Sequence, residues 1–123
     1  MTARLTISVA VGSVIGALSR WLTLLIFSST EPSWALILVN GIGCGVMGWL
    51  VGSGRHRSAL GLGATAGFCG ALTTFAGFAL DTAKLIDAQR VTTALGYSAG
   101  TLSVSILAFA STHTVAQRMT NKP

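Results

Sequence analysis

Four apolar stretches of similar length fill most of the 123 residues, at roughly 5–27, 34–53, 58–80 and 91–112. Each is close to the ~20 residues that a helix needs to cross the hydrocarbon core of a bilayer. The connections, at about 28–33, 54–57 and 81–90, are too short to hold a soluble domain. The pattern predicts an all-α membrane protein of four transmembrane helices, a single membrane domain over residues 1–123. Arg4 ahead of the first apolar run resembles a secretory signal, but Arg20 and Trp21 stand where cleavage needs small residues.

The third stretch departs from a plain span. Within Gly67-Phe68-Cys69-Gly70-Ala71-Leu72-Thr73-Thr74-Phe75-Ala76-Gly77-Phe78, glycines weaken the helix and two adjacent threonines offer hydroxyls that compete for backbone partners. A broken helix is predicted here. Unwound backbone is tolerated in lipid only where it is buried in protein or lines a cavity, and such breaks commonly serve an ion.

Composition sharpens the membrane assignment: 9% of residues are charged, and the mean hydropathy is +0.71. The net charge of +5 suits cations flanking the spans beside anionic lipid, and no nucleic-acid partner is expected. Cys44 and Cys69 fall within spans and read as small packing residues, while His56 and His113 have no second ligand nearby. Glycine pairs four apart, Gly12/Gly16, Gly41/Gly45, Gly48/Gly52 and Gly96/Gly100, have the spacing that lets helix backbones approach closely. Spread over three helices, they imply more close contacts than one small bundle needs, so the chain is expected to be half of an assembly. With four spans both termini share a side, and Arg4, Arg55, Arg57, Arg118 and Lys122 collect there against Lys84 and Arg90 opposite. The positive-inside rule therefore puts both termini in the cytoplasm.

Several residues are candidates for chemistry. Arg20 lies about seven residues inside the first span, where an arginine either snorkels to the interface or faces a wet vestibule and attracts an anion. Asn40 needs partners inside the second span, as interhelical glue or as a donor on an anion's path. Tyr97, Thr101 and Ser105, at four-residue steps, put hydroxyls on one face of the fourth helix. Phe75 and Phe78 follow the break, and aromatic ring edges carry the partial positive charge that an anion path can use. No span carries a central Asp or Glu, which argues against proton coupling or cation export, and no catalytic constellation points to an enzyme.

Taken together, these residues resemble the Fluc-type fluoride channels, or CrcB proteins. The resemblance rests on Gly12-x-x-x-Gly16-Ala17-x-x-Arg20-Trp21, on Val39-Asn40-x-x-Gly43, and most specifically on Gly67-Phe68-Cys69-Gly70-x-x-Thr73-Thr74-Phe75-x-x-Phe78. It implies an antiparallel dimer, of the chain with itself or a related subunit, whose broken third helices cross at the centre. It implies one structural, untransported sodium ion held by main-chain carbonyls, here those of Gly70 and Thr73. Phe75 and Phe78 would line fluoride pathways with Asn40, Thr74, Tyr97, Thr101 and Ser105 on a polar track, and Arg20 in the vestibule. The implied function is passive, fluoride-specific export across the cell membrane, limiting fluoride toxicity.

The chain departs from that pattern at Ala35-Leu36, where Gly-Thr is usual, at Ser13 for a second glycine, and at Asp81 for a glutamate. Ala76 and Gly77 replace two hydroxyl residues of the third-span motif. This thinning leaves open a nonconducting partner subunit of a heterodimeric channel. A small multidrug-type exporter shares the size and antiparallel pairing, but it needs a glutamate in the first span, and there is none.

Overall fold

A computed structural model describes residues 3–27 and 33–121, all of whose regular structure is helical. α1 spans Ala3–Phe27 and α2 spans Trp34–Gly52. The third span begins after a 3₁₀ turn at Arg55–Arg57. It runs as α-helix over Ala59–Leu62, as π-helix over Gly63–Cys69, and as α-helix again over Gly70–Leu72; this half, 59–72, is α3. α4 completes the span over Phe75–Asp87, and α5 covers Val91–Thr120. Four helical segments, Ala3–Phe27, Trp34–Gly52, Ala59–Asp87 and Val91–Thr120, are long and apolar enough to cross a membrane.

Local chemistry sets the boundaries. Gly54, at φ 71°, takes the left-handed conformation that ends α2, and the Ser58 hydroxyl caps α3 by accepting from the Gly61 amide at 3.0 Å. α4 closes with the Arg90 amide donating to the Leu85 carbonyl and the Gln89 amide to that of Ile86, a Schellman arrangement with Gln89 left-handed at φ 58°. The helices continue beyond the apolar stretches, α4 to Asp87 and α5 to Thr120, because the polar residues there are ordinary helix formers.

Glycine decides which helices touch. On α1, a Cβ at Gly12 or Gly16 would run into the backbone of Gly63, Phe68 or Leu72, so α1 lies backbone to backbone along α3. On α2, Gly48 and Gly52 admit the Phe109 and His113 carbonyls of α5. The Thr112 hydroxyl donates across that seam to the Gly45 carbonyl at 2.8 Å. Gly96 and Gly100 meet nothing within 4 Å, so their close-approach face has no partner among the described residues of this chain.

The break changes the third span's neighbour. α3 packs along α1, whereas α4 packs on α5, through Phe78, Leu85, Ala94 and Tyr97. Contact order along the pairs (Ser8 beside Gly63, Gly16 beside Leu72, Gly41 beside Val104, Gly52 beside Ala116) shows α1 parallel to α3 and α2 parallel to α5. Arg4, Arg55, Arg57 and Arg118 thus share one end of the bundle, while Asp81, Lys84, Asp87 and Arg90 occupy the other. Glu31 and Lys122 lie outside the described residues.

Candidate functional site

The helix stops at two residues. Thr73 (φ −75°, ψ 149°) and Thr74 (φ −145°, ψ 121°) are extended, and α4 starts immediately afterwards. Gly67 and Gly70, which the sequence offered as helix breakers, stay helical, Gly70 at φ −63°, ψ −32°. Gly67 serves contact: a Cβ there would meet the Val9 carbonyl and the Ser13 amide of α1.

A side chain from another helix holds the break open. Asn40 Oδ1 accepts from the Thr74 amide at 2.8 Å, and Asn40 Nδ2 donates to the Thr74 carbonyl at 3.4 Å. The amide thus reads Thr74 as a neighbouring strand would. Asn40 is 8% exposed, so this pairing satisfies groups that have little water to turn to.

The diverted donors leave two carbonyls without their helical partners. In an unbroken helix the Thr74 amide would bond the Gly70 carbonyl, four residues back. It goes to Asn40 instead. The Gly77 amide would bond the Thr73 carbonyl, but it donates to Thr74 Oγ at 3.2 Å as the cap of α4. Gly70 and Thr73 therefore present carbonyl oxygens that can bind a hard cation by dipole alone. Among the described residues there is no group of three or more His, Cys, Asp or Glu side chains placed to hold a metal.

Beside the break lies an open cavity of about 160 Å³, lined by Asn40, Cys44, Thr73, Thr74, Phe75, Phe78, Thr101, Leu102 and Ser105. Six of the seven expected pathway residues meet there. Their usable protons differ. The Thr73 hydroxyl donates to the Cys69 carbonyl at 2.9 Å and that of Thr101 to the Tyr97 carbonyl at 2.7 Å, so both are committed to their own helices. Thr74 Oγ only accepts, the Ser105 hydroxyl bonds no described residue, and Asn40 Nδ2 carries a second hydrogen. Asn40, Thr74 and Ser105 are consequently the donors that an anion can recruit.

The rings form a ladder at the cavity edge. Phe75 and Phe78 centroids are 5.6 Å apart, and Phe78 stacks on Tyr97 at 5.9 Å. Phe75 is 78% exposed, so the cavity is open on its side among the described residues. Tyr97 stands behind the ladder, 4% exposed, with its hydroxyl donating to Asp81 Oδ2 at 3.4 Å. The same carboxylate oxygen accepts from the Ser33 amide at the start of α2, 3.2 Å away. Tyr97 thus belongs to the same helix face as Thr101 and Ser105 but outside the cavity. Arg20 is half-buried on α1, one turn past Gly16, and is not part of the lining. Cys44, read from sequence as packing, does line the cavity; its position one turn after Asn40 was the available signal.

Comparison with known proteins bears on the chain as a whole. The family model described as CrcB-like protein, Camphor Resistance (CrcB), matches residues 7–113. A protein of Bordetella petrii named "Fluoride-specific ion channel FluC" is 35% identical over 115 residues, covering 87% of this chain and 90% of its own length. "Fluoride-specific ion channel FluC 1" of Halobacterium salinarum is 36% identical, covering 83% of this chain and 85% of its own length. A further protein of that first name, from Azotobacter vinelandii, is 37% identical over 84% of this chain and 89% of its own length.

Proposed function

The chain belongs to the CrcB family, and we propose that it is a fluoride-specific ion channel. It works as an antiparallel dimer around one structural sodium ion and lets fluoride leave the cytoplasm passively. The observation that carries this reading is the break at Thr73–Thr74 and what gathers around it. Two carbonyls are stripped of donors, three unspent donors face a cavity, and an aromatic ladder lacks its opposite wall.

The physical requirements agree. Fluoride is small and strongly hydrated, so a path must replace water with closely placed donors, and Asn40, Thr74, Ser105 and the ring edges of Phe75 and Phe78 are such a set. Sodium at the Gly70 and Thr73 carbonyls would supply a fixed positive charge beside that path, with the partner subunit completing its oxygen shell. A negative cell interior drives an anion outward by about 2.3 kcal/mol per 100 mV, so no coupling carboxylate or catalytic group is needed.

A second reading has its own support. The missing hydroxyls at Ala76 and Gly77, with four arginines at one end of the bundle and a mixed-sign cluster at the other, favour a chain of fixed orientation that pairs with a related subunit. Purified protein reconstituted alone into liposomes tests both readings, by electrode measurement of fluoride efflux against chloride efflux. Selective fluoride efflux is expected of a homodimeric channel. Silence alone with activity on co-expression of a relative selects the paired subunit, and equal efflux of both anions overturns the fluoride assignment.

A further inference from the structure

We propose that the groove between α1 and α3 holds an acyl chain of an anionic phospholipid whose headgroup is gripped by Arg4, Arg55 and Arg57. The groove encloses about 380 Å³. Its floor is narrow because Gly12 and Gly63 bring the two backbones together, and its walls are large apolar side chains: Ile7, Val11 and Ile15 from α1, Leu60 and Phe68 from α3. From Ile7 to Ile15 it runs about 12 Å at the helical rise of ~1.5 Å per residue, most of the ~15 Å depth of one leaflet. Leu60, at its mouth, is 81% exposed, with little among the described residues to cover it.

The mouth is where the charge is. Arg4 stands one helical turn before Ser8, which packs on Gly63. The Arg55 backbone lies against Gly61, and Arg57 precedes Leu60 by three residues. All three arginines are exposed, and their side chains make no hydrogen bond or ion pair with a described residue. The described carboxylates, Asp81 and Asp87, are at the opposite end of the bundle. Guanidinium groups take phosphate in a bidentate fork, so a phosphodiester at the bilayer surface with its chain running down the groove fits both charge and shape. The π-helical stretch Gly63–Cys69 supplies Gly63, Ala64 and Phe68 to the groove, which gives that irregular segment a use.

Native mass spectrometry of the full chain in mild detergent tests this, with dioleoyl phosphatidylglycerol and dioleoyl phosphatidylcholine offered in equal amounts. Wild-type protein is expected to retain phosphatidylglycerol with a preference on the order of tenfold, which the combined Arg4→Gln, Arg55→Gln and Arg57→Gln variant loses. Ala64→Phe, which fills the groove and leaves every charge in place, is expected to reduce retention of both lipids, with unchanged helicity by circular dichroism. Equal retention by the wild type overturns the proposal, as does a preference that survives the triple arginine variant or undiminished lipid retention by Ala64→Phe. Efficient Leu60→Cys cross-linking between two chains in membranes also overturns it, since the groove is then an interface between copies. None of these readouts depends on fluoride conduction.

Discussion

Asn40→Leu is the substitution that most directly tests how the third span is kept apart. Leucine repeats asparagine's side-chain skeleton, branched at Cγ, with bulkier methyl groups in place of the amide, so the main loss is one of hydrogen bonds. The bond from the Thr74 amide at 2.8 Å is well formed, whereas the one to the Thr74 carbonyl at 3.4 Å is near the limit of a useful contact. A made hydrogen bond is worth about 1 kcal/mol net, and a buried amide left unpaired costs about 1–3 kcal/mol. Polar contacts between membrane helices average nearer ~0.6 kcal/mol. The chain has an escape: the orphaned Thr74 amide can return to the Gly70 carbonyl and close the helix. Removing Asn40 therefore shifts the balance from break to continuous helix by about 1–3 kcal/mol, or roughly five- to 150-fold in population. The expected result is a folded, helical protein whose fluoride efflux falls by at least about fivefold, with weakened dependence on sodium. Asn40→Asp keeps the acceptor at Thr74 but puts a carboxylate beside an anion's route, so it is expected to spare stability and still abolish efflux. Wild-type efflux from folded Asn40→Leu protein would refute the reasoning, because a break that persists without its clamp is held by something else.

Phe75→Ala and Phe78→Ala are both expected to cut fluoride efflux in liposomes, but only Phe78→Ala should lower thermal stability, by about 2 kcal/mol. Phe78 packs on Tyr97 and Leu85, whereas Phe75 projects from the chain. Rigorously sodium-free reconstitution is expected to abolish efflux without external sodium ever carrying current, and full activity under those conditions would remove the carbonyl site from the account. Gly48→Leu, which drives a side chain into the Phe109 carbonyl and Thr112 hydroxyl, should destabilise the α2–α5 seam by about 1–3 kcal/mol, read as reduced yield and thermal stability. A C-terminal tag probed in intact cells separates the two readings: an antiparallel homodimer is expected to be labelled from both faces, and a fixed-orientation subunit, which the arginines at that end favour, only from the cytoplasm.

How much of this was legible in the sequence depends on whether the cause was local. The spans were legible because length and apolar composition act residue by residue. Thr73 and Thr74 pointed to the break because adjacent threonines offer backbone groups an alternative partner, and Thr74 does so by capping α4. The glycines pointed to the wrong cause. Helix propensity is a weak prior, and Gly67 stays helical because α1 packs on it. The change from α to π geometry at Gly63–Cys69 had no signature in the hydrophobic pattern or the helix propensities.

The candidate site divides along the same line. Thr101 and Ser105 could be placed on one face because helix spacing fixes which residues share it, and the resemblance to the fluoride channels brought them beside Thr74 and Phe75. The same rule put Tyr97 with them, yet Tyr97 sits behind Phe78 and spends its hydroxyl on Asp81, a partner on α4 that only the folded chain supplies. Asn40 is the instructive case. Sequence offered it as either glue between helices or a donor to an anion, and its geometry makes the two compatible. Its Oδ1 and one amide hydrogen hold Thr74, and the second hydrogen remains beside the cavity. By taking the Thr74 amide, the same side chain also deprives the Gly70 carbonyl of its helical partner. In the proposed channel the cation site and the anion path would thus share a cause: Asn40, by taking the Thr74 amide, frees the Gly70 carbonyl and keeps a hydrogen beside the cavity, while the Thr74 cap on Gly77 frees the Thr73 carbonyl. A substitution at Asn40 is expected to move both together and one at Phe75 only the second.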